Sequence, residues 1–307
     1  MRIAVTGGTG FVGRSVVNEL LRRGHDVRVL ARHPDDARSR FNRAVAAVEG
    51  DLADMPALEK ACAGRDAVVH LVGIINEKEG RSFDQVHRQG TENVCAAAKA
   101  AGVRRLLHMS AMGASADAPS EYARTKAAGE EAVRRSGLDA TIFRPSIVFG
   151  PGDGFATTLA SVVRMSPLVI PVIGPGTVRF MPVSVREVAR IFADALEKPE
   201  TAGRSFELGG PETLSLNEIY REIAAALGHP GKRLVHLPIW YGRILAAGMA
   251  ILPRPPLTLD QLKSLARDNV GETGPTAETF GAPAARFADG IREYLRPRAH
   301  RDSRIGI

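Results

Sequence analysis

Apolar and polar positions alternate in blocks along the first half of the chain. Short runs that are apolar at almost every position predict buried strands at residues 3–5, 27–31, 45–49, 67–72 and 105–109. Between these runs, apolar residues recur at helical spacing and predict helices at residues 12–21, 55–63, 83–101 and 122–135. Strands that are apolar on both faces and alternate with helices predict a parallel sheet covered on both sides.

Three glycines, Gly7, Gly8 and Gly10, lie between the first strand and the first helix, and a fourth, Gly13, lies in the first turn of that helix. Gly7 permits a tight turn, Gly10 lets the backbone approach a pyrophosphate, and Gly13 lets the helix pack on the strand. The helix N-terminus offers free N–H groups and the positive end of its dipole. A strand, a glycine turn and a helix in this order predict a dinucleotide-binding element, with further contacts from the adjoining residues Thr9, Phe11, Val12 and Arg14.

The end of the second strand bears on which dinucleotide is bound. An acidic residue here would hold the ribose 2′-hydroxyl of NAD, but the sequence is Ala31-Arg32-His33. Arg32 could pair with a 2′-phosphate, and Arg14 could add a second contact. NADP(H) is therefore favoured and NAD(H) stays open, because Arg32 could also be merely exposed.

Other strand ends supply the remaining candidate cofactor contacts. Asp51 follows the third strand and could reach the adenine or cap the helix at residues 55–63. His70, inside the fourth strand, is expected to be a packed histidine rather than a catalyst. The other candidates lie at the ends of the third and fourth strands: Leu52, Val72 and Gly73.

Tyr122 and Lys126 are the candidate catalytic pair. Their i, i+4 spacing places the phenol and the ammonium on one face of a helix. A nearby cation favours the phenolate, so Tyr122 could exchange a proton with a substrate hydroxyl while the cofactor exchanges a hydride. Lys126 could also hydrogen-bond the nicotinamide ribose.

After Pro151 the alternation loosens. Residues 157–165 predict a helix, and residues 179–183, 185–196 and 205–208 predict a strand, a helix and a strand that return to the main sheet. Ser215 and Thr258 open capping boxes. We expect a dinucleotide-binding domain at 1–150 with returning elements at about 178–208, a smaller α+β lobe at 151–177 and 209–290, and a basic tail at 291–307.

One apolar stretch lies in this lobe at residues 237–252, with Arg243 as its only charge. It is too short to span a bilayer. A buried helix of the small lobe is the favoured interpretation. The alternatives are a lid over a hydrophobic substrate and a contact with a membrane or a partner.

Composition narrows the class of protein. The net charge is +7, with only seven lysines among 41 basic residues, and the arginines are mostly scattered, as on a solvated surface. No nucleic-acid motif or metal-ligand spacing is present, and aromatic residues make up 5%. The strand at the N-terminus leaves no room for a signal peptide. Cys62 and Cys95 indicate a reducing compartment, so we expect a cytoplasmic protein, with association with the inner face of a membrane as an open alternative.

These motifs together resemble the short-chain dehydrogenase/reductase superfamily, especially its extended, epimerase/dehydratase-like members. The resemblance includes Arg144-Pro-Ser-Ile-Val-Phe-Gly-Pro151, which in that family follows the sixth strand and passes the nicotinamide. It therefore implies that Pro145 and Ser146 contact the cofactor. Further stretches are similar to an atypical branch, the NADPH-binding accessory subunit of respiratory complex I and its free-standing bacterial relatives. They are residues 120–130, 140–146, 179–183, 206–212, 256–262 and 268–270.

The resemblance leaves two functions open. Catalytic relatives carry a serine or threonine just after strand five, and Ala111 falls at that position here, with Ser110 beside it. Ser110, or else Ser115 or Ser120, could replace that hydroxyl in an NADP(H)-dependent oxidoreductase or epimerase/dehydratase-like enzyme. A degraded site with an intact cofactor loop instead implies a non-catalytic subunit that attaches to a respiratory or quinone enzyme.

Overall fold

The computed structural model describes residues 1–42, 44–77, 80–249 and 257–295. The strands are β1 (Arg2–Thr6), β2 (Asp26–Ala31), β3 (Ala46–Glu49), β4 (Ala67–His70), β5 (Arg105–Met109), β6 (Asp139–Pro145), β7 (Val148–Phe149), β8 (Val169–Ile173), β9 (Arg179–Phe180), β10 (Val183–Ser184), β11 (Ser205–Leu208), β12 (Leu214–Ser215) and β13 (Arg233–Leu237). The helices are α1 (Phe11–Arg22), α2 (Pro34–Arg40), α3 (Met55–Cys62), α4 (Gly90–Ala100), α5 (Glu121–Arg135), α6 (Phe155–Met165), α7 (Val185–Leu196), α8 (Leu216–Ala226), α9 (Ile239–Met249), α10 (Leu259–Ser264), α11 (Gly274–Phe280) and α12 (Phe287–Leu295).

The main sheet has seven strands in the order β3-β2-β1-β4-β5-β6-β11, and every pair is parallel. This is the predicted Rossmann-type α/β fold. The strand order reverses between β1 and β4, the place where ligands bind in open parallel sheets.

Two apolar layers cover the sheet. On one face, α1 and α7 pack their buried aliphatic and aromatic side chains against β1, β5 and β6. On the other face, α3 and α4 pack against β2, β4 and β5 through small residues that include both cysteines. Because both faces are covered, the strands are apolar at nearly every position, as the sequence pattern required.

The small lobe has its own apolar core, in which α6, α8 and α12 surround the two-stranded sheet of β8 and β13. One prediction was wrong here. Residues 179–183 do not form a strand of the main sheet, because β9 pairs with β12 and β10 pairs with β7. Of the returning segments, β11 joins the main sheet beside β6, and α7 packs on α1.

The favoured prediction for the apolar stretch was also wrong. Within α9, only the small residues Gly242 and Ala246 are buried, whereas Trp240 and Ile244 are each 61% exposed. Gly242 lies so close to Ile173 that a β-carbon there would be 2.5 Å from the Ile173 side chain. This side of the helix therefore has room only for small residues. Residues 250–252 of the stretch lie outside the described residues. Across the described ranges, no helix is both long and apolar enough to cross a bilayer.

The long helix predicted at 83–101 is interrupted. A π-helical turn, Gln85–Gln89, precedes α4, and His87 lies within it. The extra residue of a π turn changes the direction of the side chains around it, and such turns are frequent at functional sites.

A Gly13→Ala variant tests the packing of α1 on the glycine turn. A β-carbon at position 13 would overlap the carbonyl oxygen of Gly7. We expect a loss of about 1–3 kcal/mol in the free energy of unfolding, measured by urea denaturation, with weaker binding of the dinucleotide. Gly231→Ala is the matched control, since a β-carbon there has no atom within 4 Å. Equal stability of the two variants would contradict this account.

Candidate active site

The predicted site residues follow the carboxyl ends of five parallel strands. Gly7 follows β1, Arg32 follows β2, Val72 and Gly73 follow β4, Ser110 follows β5, and Pro145 ends β6. Parallel strands carry their carboxyl ends to one edge of the sheet, so these positions line the same edge. The switch point between β1 and β4 lies near the middle of that edge.

The glycine turn fits a pyrophosphate. Gly7 has a φ of +77°, and a β-carbon there would lie 2.9 Å from the Val72 nitrogen. Gly10 is exposed and forms the N-cap of α1, yet no side chain caps this helix and its first turn holds no acidic residue. The helix N-terminus, which includes Phe11 and Val12, therefore presents N–H groups and a positive dipole end without a competing anion.

The two candidate arginines lie on either side of this turn. Arg32 is exposed directly after β2. Arg14 lies on the first turns of α1, and its guanidinium approaches the backbone of Gly152, where a β-carbon would be 3.0 Å from Nη2. Thr9 is half-buried between Gly8 and Gly10. Both cations are thus on elements that surround the glycine turn.

The region after β3 corrects one of the two alternatives for Asp51. The N-cap of α3 is Asp54, whose carboxylate accepts the Ala57 N–H at 3.0 Å. Asp51 instead accepts the Ala53 N–H at 2.9 Å and lies 3.5 Å from Arg81. Leu52 packs against Gly90 at the start of α4.

The end of β4 connects the glycine turn to the predicted catalytic pair. Gly7 abuts Val72, and the next residue is Gly73. A β-carbon at Gly73 would lie 3.6 Å from the Lys126 Nζ and 3.7 Å from His87 Nε2. Val72 and Gly73 therefore connect the proposed pyrophosphate site at Gly7 to the buried ammonium of Lys126.

Tyr122 and Lys126 lie on the first turns of α5. Burial raises the pKa of Tyr122 to about 12, the opposite of the lowering expected from a neighbouring cation. Burial lowers the pKa of Lys126 to about 8, against the opposing effect of Glu130. Lys126 donates to the Met109 carbonyl at 2.6 Å. At neutral pH the pair is a neutral phenol, ready to donate a proton, beside an ammonium that is still charged.

His87 supports this pair from the π-helical turn. Its ring lies 5.4 Å from the Tyr122 ring in an edge-on arrangement. Nε2 accepts the Ile74 N–H at 3.1 Å, so in the neutral ring the proton is on Nδ1 and is donated to the Thr125 hydroxyl at 2.9 Å. Burial, together with the charge of Lys126, lowers the pKa of His87 to about 3, which keeps it neutral.

His70 is a packed strand histidine, as expected. It bonds the hydroxyls of Thr6 at 2.6 Å and Thr91 at 3.1 Å, and it stacks on His108 with ring centroids 5.2 Å apart. Burial lowers its pKa to about 3 and holds that of His108 well below the usual value. These histidines add no positive charge near Lys126.

The candidate hydroxyls have other neighbours. The Ser110 side chain is buried and lies against Glu130, whose pKa it helps to lower. Ser115 donates to Asp117, and Ser120 is the N-cap of α5. Ala111 is also buried. Ser115 and Ser120 are therefore engaged elsewhere, whereas Ser110 Oγ is buried and makes no hydrogen bond with the described residues.

Asn269 joins the ends of β5 and β6. Its side chain accepts from the Ser146 hydroxyl at 2.6 Å and donates to the Met112 carbonyl at 3.0 Å. The Ser146 hydroxyl also accepts the Met181 N–H at 3.1 Å, and the Pro145 carbonyl accepts from Met112 at 2.9 Å. This segment of the small lobe thus fixes the loops at the sheet edge.

Asp260 joins the small lobe to the N-terminus of α5. Its carboxylate accepts the N–H groups of Glu121 at 2.8 Å and Tyr122 at 3.1 Å. A carboxylate at this position also interacts favourably with the helix dipole. The neighbouring Gln261 donates to Asn76, in the loop after β4, at 3.2 Å. Helix α10 therefore holds both the helix of Tyr122 and the loop that follows Gly73.

Comparisons with known proteins agree with this geometry. A family model described as NAD(P)H-binding matches residues 7–199. The chain is an atypical short-chain dehydrogenase/reductase. Subunit 9 of the NADH dehydrogenase [ubiquinone] 1 alpha subcomplex from Arabidopsis thaliana is 31% identical over 282 residues, which cover 87% of this chain and 70% of the relative. A ceramide reductase from Caulobacter vibrioides is 32% identical over 236 residues, or 77% and 73% of the two chains.

Solved structures agree on the fold of this dehydrogenase/reductase. The UDP-glucose 4-epimerase of Thermotoga maritima superposes with a TM-score of 0.74 at 21% identity, covering 96% of this chain and 97% of that one. The family is one of NAD(P)-binding oxidoreductases, and its cofactor is a nicotinamide dinucleotide.

Sequence reasoning missed three residues of this reductase-like site. His87 carried no signal, since a single histidine within a helix has no diagnostic spacing. Asp260 lies inside the recognised capping box of Thr258. The two N–H groups that it accepts are on α5, 138 and 139 residues away in the chain. Asn269 belongs to a stretch that contributed to the family resemblance, but nothing in that stretch indicated its partners.

The charge of Lys126 can be tested through cofactor binding. Since its pKa is about 8, the ammonium is mostly charged at pH 7 and is lost as the pH rises through that value. We expect the affinity for NADPH, measured by fluorescence titration, to fall between about pH 7 and about pH 9.5. A Lys126→Met variant should bind roughly tenfold more weakly at pH 7 and lose this pH dependence.

The matched control is Lys99→Met, which removes an exposed ammonium at the end of α4. It should keep both the affinity and the pH profile of the unchanged protein. A Lys126→Met variant that followed the same profile would show that another group causes the pH dependence.

Proposed function

We propose that this protein is an NADP(H)-dependent oxidoreductase that interconverts a carbonyl and an alcohol on a hydrophobic substrate. The observation that carries this proposal is the path from Gly7 through Val72 and Gly73 to Lys126. It brings a phosphate-binding turn and a tyrosine–lysine pair to one edge of the sheet.

The residues have distinct roles in this reaction. Bound NADPH would supply a hydride to the carbonyl carbon. The Tyr122 phenol donates its proton to the carbonyl oxygen, so that an alcohol forms, and the phenolate then regains a proton from solvent. Lys126 lowers the energy of that phenolate through its charge. His87 packs edge-on against the Tyr122 ring and holds its orientation.

The preference for NADP(H) is supported by the residue after β2. Arg32 is exposed there, and the end of this strand, Ala31-Arg32-His33, carries no carboxylate. A guanidinium pairs well with a 2′-phosphate, whereas the carboxylate of an NAD-binding protein would repel it. The second arginine, Arg14, extends from α1 on the same edge.

A hydrophobic substrate is supported by two observations. One relative is named a ceramide reductase. The small lobe exposes a set of large apolar side chains on α9, next to α10, which contacts the helix of Tyr122.

A second candidate is a non-catalytic accessory or assembly subunit of a respiratory enzyme. The similarity to a subunit of NADH dehydrogenase favours it. Ala111 at the position of the family's hydroxyl favours it as well. In this candidate the bound dinucleotide stabilises the fold and is not consumed.

An Arg32→Asp variant tests the cofactor preference. The new carboxylate would repel the 2′-phosphate, so we expect the dissociation constant for NADPH to rise at least about tenfold, while that for NADH does not. Arg221→Asp makes the same change in net charge on the exposed face of α8 and should leave both constants unchanged. An NADPH preference that survives in Arg32→Asp would contradict the assignment of this arginine.

A Tyr122→Phe variant tests catalysis. Methyl ketones of increasing chain length serve as probes, and consumption of NADPH is followed by its absorbance. We expect the unchanged protein to favour the longer chains and the variant to lose about 100-fold or more in turnover at an unchanged NADPH affinity. Tyr220→Phe, in the core of the small lobe, is the control for loss of a buried phenol.

The release rate of NADPH separates the two candidates. Release in seconds, with turnover that depends on Tyr122, supports the oxidoreductase. Release over hours, with no NADPH consumed and with Tyr122→Phe functional in cells, supports the accessory subunit and contradicts catalysis.

A further inference from the structure

The surface of the small lobe holds most of the exposed large apolar side chains that the described residues contain. Nine of them cluster on three neighbouring segments, namely the end of α6 with the start of β8, strand β13 and helix α9. We call this set the apolar face: Met165, Leu168, Val169, Val235, Ile239, Trp240, Tyr241, Ile244 and Leu245.

The three segments form one continuous surface. Strands β8 and β13 are paired so that Val169 faces Arg233 and Pro171 faces Val235. The buried residues Ile170 and Val172 of β8 point into the lobe core, so Val169 lies on the opposite face. Helix α9 packs on Ile173 of the same strand through Gly242. The helix therefore lies on the outer side of this small sheet.

The orientation of α9 is the reverse of that in an ordinary surface helix. Its small residues are buried, and its Trp, Tyr, Ile and Leu side chains face outward. A surface helix in water normally places its large apolar side chains inside, and an exposed apolar area of this extent marks an interaction surface. The apolar face thus requires an apolar environment to cover it.

The charges on the segments that carry the apolar face have one sign. Residues 154–186 and 223–259, which supply the whole of the apolar face, contain no Asp or Glu. Arg164, Arg233 and Arg243 are exposed there, and among the described residues none of the three forms an ion pair. Lys232 donates only to the carbonyls of Val163 and Ser166, which leaves its charge uncompensated. Cations beside exposed apolar and aromatic side chains are complementary to an anionic lipid surface.

We infer that the apolar face docks the protein on the surface of an anionic membrane. Trp240 and Tyr241 enter the interface between headgroups and acyl chains, where amphipathic aromatic rings are most favourable. Arg233 and Arg243 contact the lipid phosphates. Since α9 contacts α10 and α10 contacts α5, docking brings the bilayer near the helix of Tyr122. Delivery of a lipid-like substrate from the bilayer rests on the proposed function, whereas docking itself does not.

Trp240 makes the inference directly testable, because it is the only tryptophan in the chain. The purified protein, with and without NADPH, is mixed with vesicles of phosphatidylcholine alone or with added phosphatidylglycerol. We expect sedimentation with the anionic vesicles, at least about tenfold more than with the neutral ones, and a loss of binding in high salt. The emission of Trp240 should shift to the blue, and lipids that carry a quencher near the headgroup should quench it.

Two double variants assign the binding to the apolar face. Trp240→Ser with Ile244→Ser should lose at least about tenfold in vesicle binding, and Arg233→Glu with Arg243→Glu should lose the preference for anionic lipid. The controls are Leu259→Ser, an exposed apolar residue outside the face, and Arg221→Glu, a charge reversal on α8. Each variant is checked for folding by its affinity for NADPH.

The outcomes separate this inference from the proposed function. NADPH binding without vesicle binding overturns the docking inference and leaves the dehydrogenase assignment intact. Vesicle binding without NADPH binding does the reverse. Oligomers in light scattering that disappear in Trp240→Ser with Ile244→Ser, without vesicle binding, show that a second copy covers the face and overturn the inference. Capture of the unchanged protein by a purified protein partner, again without vesicle binding, overturns it as well.

Discussion

The close approach of the glycine turn to the end of β4 is the constraint on which the rest of the site depends. Gly7 adopts a left-handed conformation and leaves no room for a side chain against Val72. Gly13 lets α1 begin directly behind the same turn. If either contact were wider, the N-terminus of α1 and the loop at Gly73 would move apart. A dinucleotide that spans the switch point could then not reach both the turn and Lys126.

The second constraint is electrostatic. Three histidines lie beneath the site, and burial keeps each of them neutral, with the pKa of His70 and His87 at about 3. Glu130 is also buried, but it is fully engaged by Arg144 at 2.8 and 2.6 Å and by Arg134 at 2.6 Å. Lys126 is thus left as the cation that acts on whatever binds near Tyr122. Binding at this position therefore responds strongly to the protonation state of Lys126.

Much of the fold follows from the sequence, because the strands of a fully covered parallel sheet differ clearly from their helices. The boundaries of β5 and β11 agree with the predicted runs. The glycine turn and the i, i+4 pair were also readable, because both depend on local spacing. Residues 179–183 failed because their strands are only two residues long and pair outside the main sheet. Such short pairings leave no periodic pattern.

The features that the sequence did not predict are those whose position or partners depend on tertiary contacts. Helix α9 is apolar at every position but Arg243 and its glycines, so periodicity could not say which side faces inward. The small side chains of Gly242 and Ala246, packed against β8, decide it. Asp260 and Asn269 act across more than 100 residues of chain, where local pattern carries no information. The glycine turn and α5 are therefore the part of the site that local spacing predicts. The remaining part consists of residues that the small lobe supplies.

The energetic cost of Lys126 bears on which function the site was selected for. Lowering its pKa from 10.5 to about 8 by burial costs the fold on the order of 3 kcal/mol at neutral pH. A bound dinucleotide whose ribose hydroxyls accept from the ammonium would recover part of this cost, so Lys126 argues for cofactor binding in both candidate functions. Tyr122 differs, because its phenol contributes a proton only to a reaction. A purely structural use of the cofactor does not explain why a half-buried phenol, Tyr122, lies beside the ammonium of Lys126.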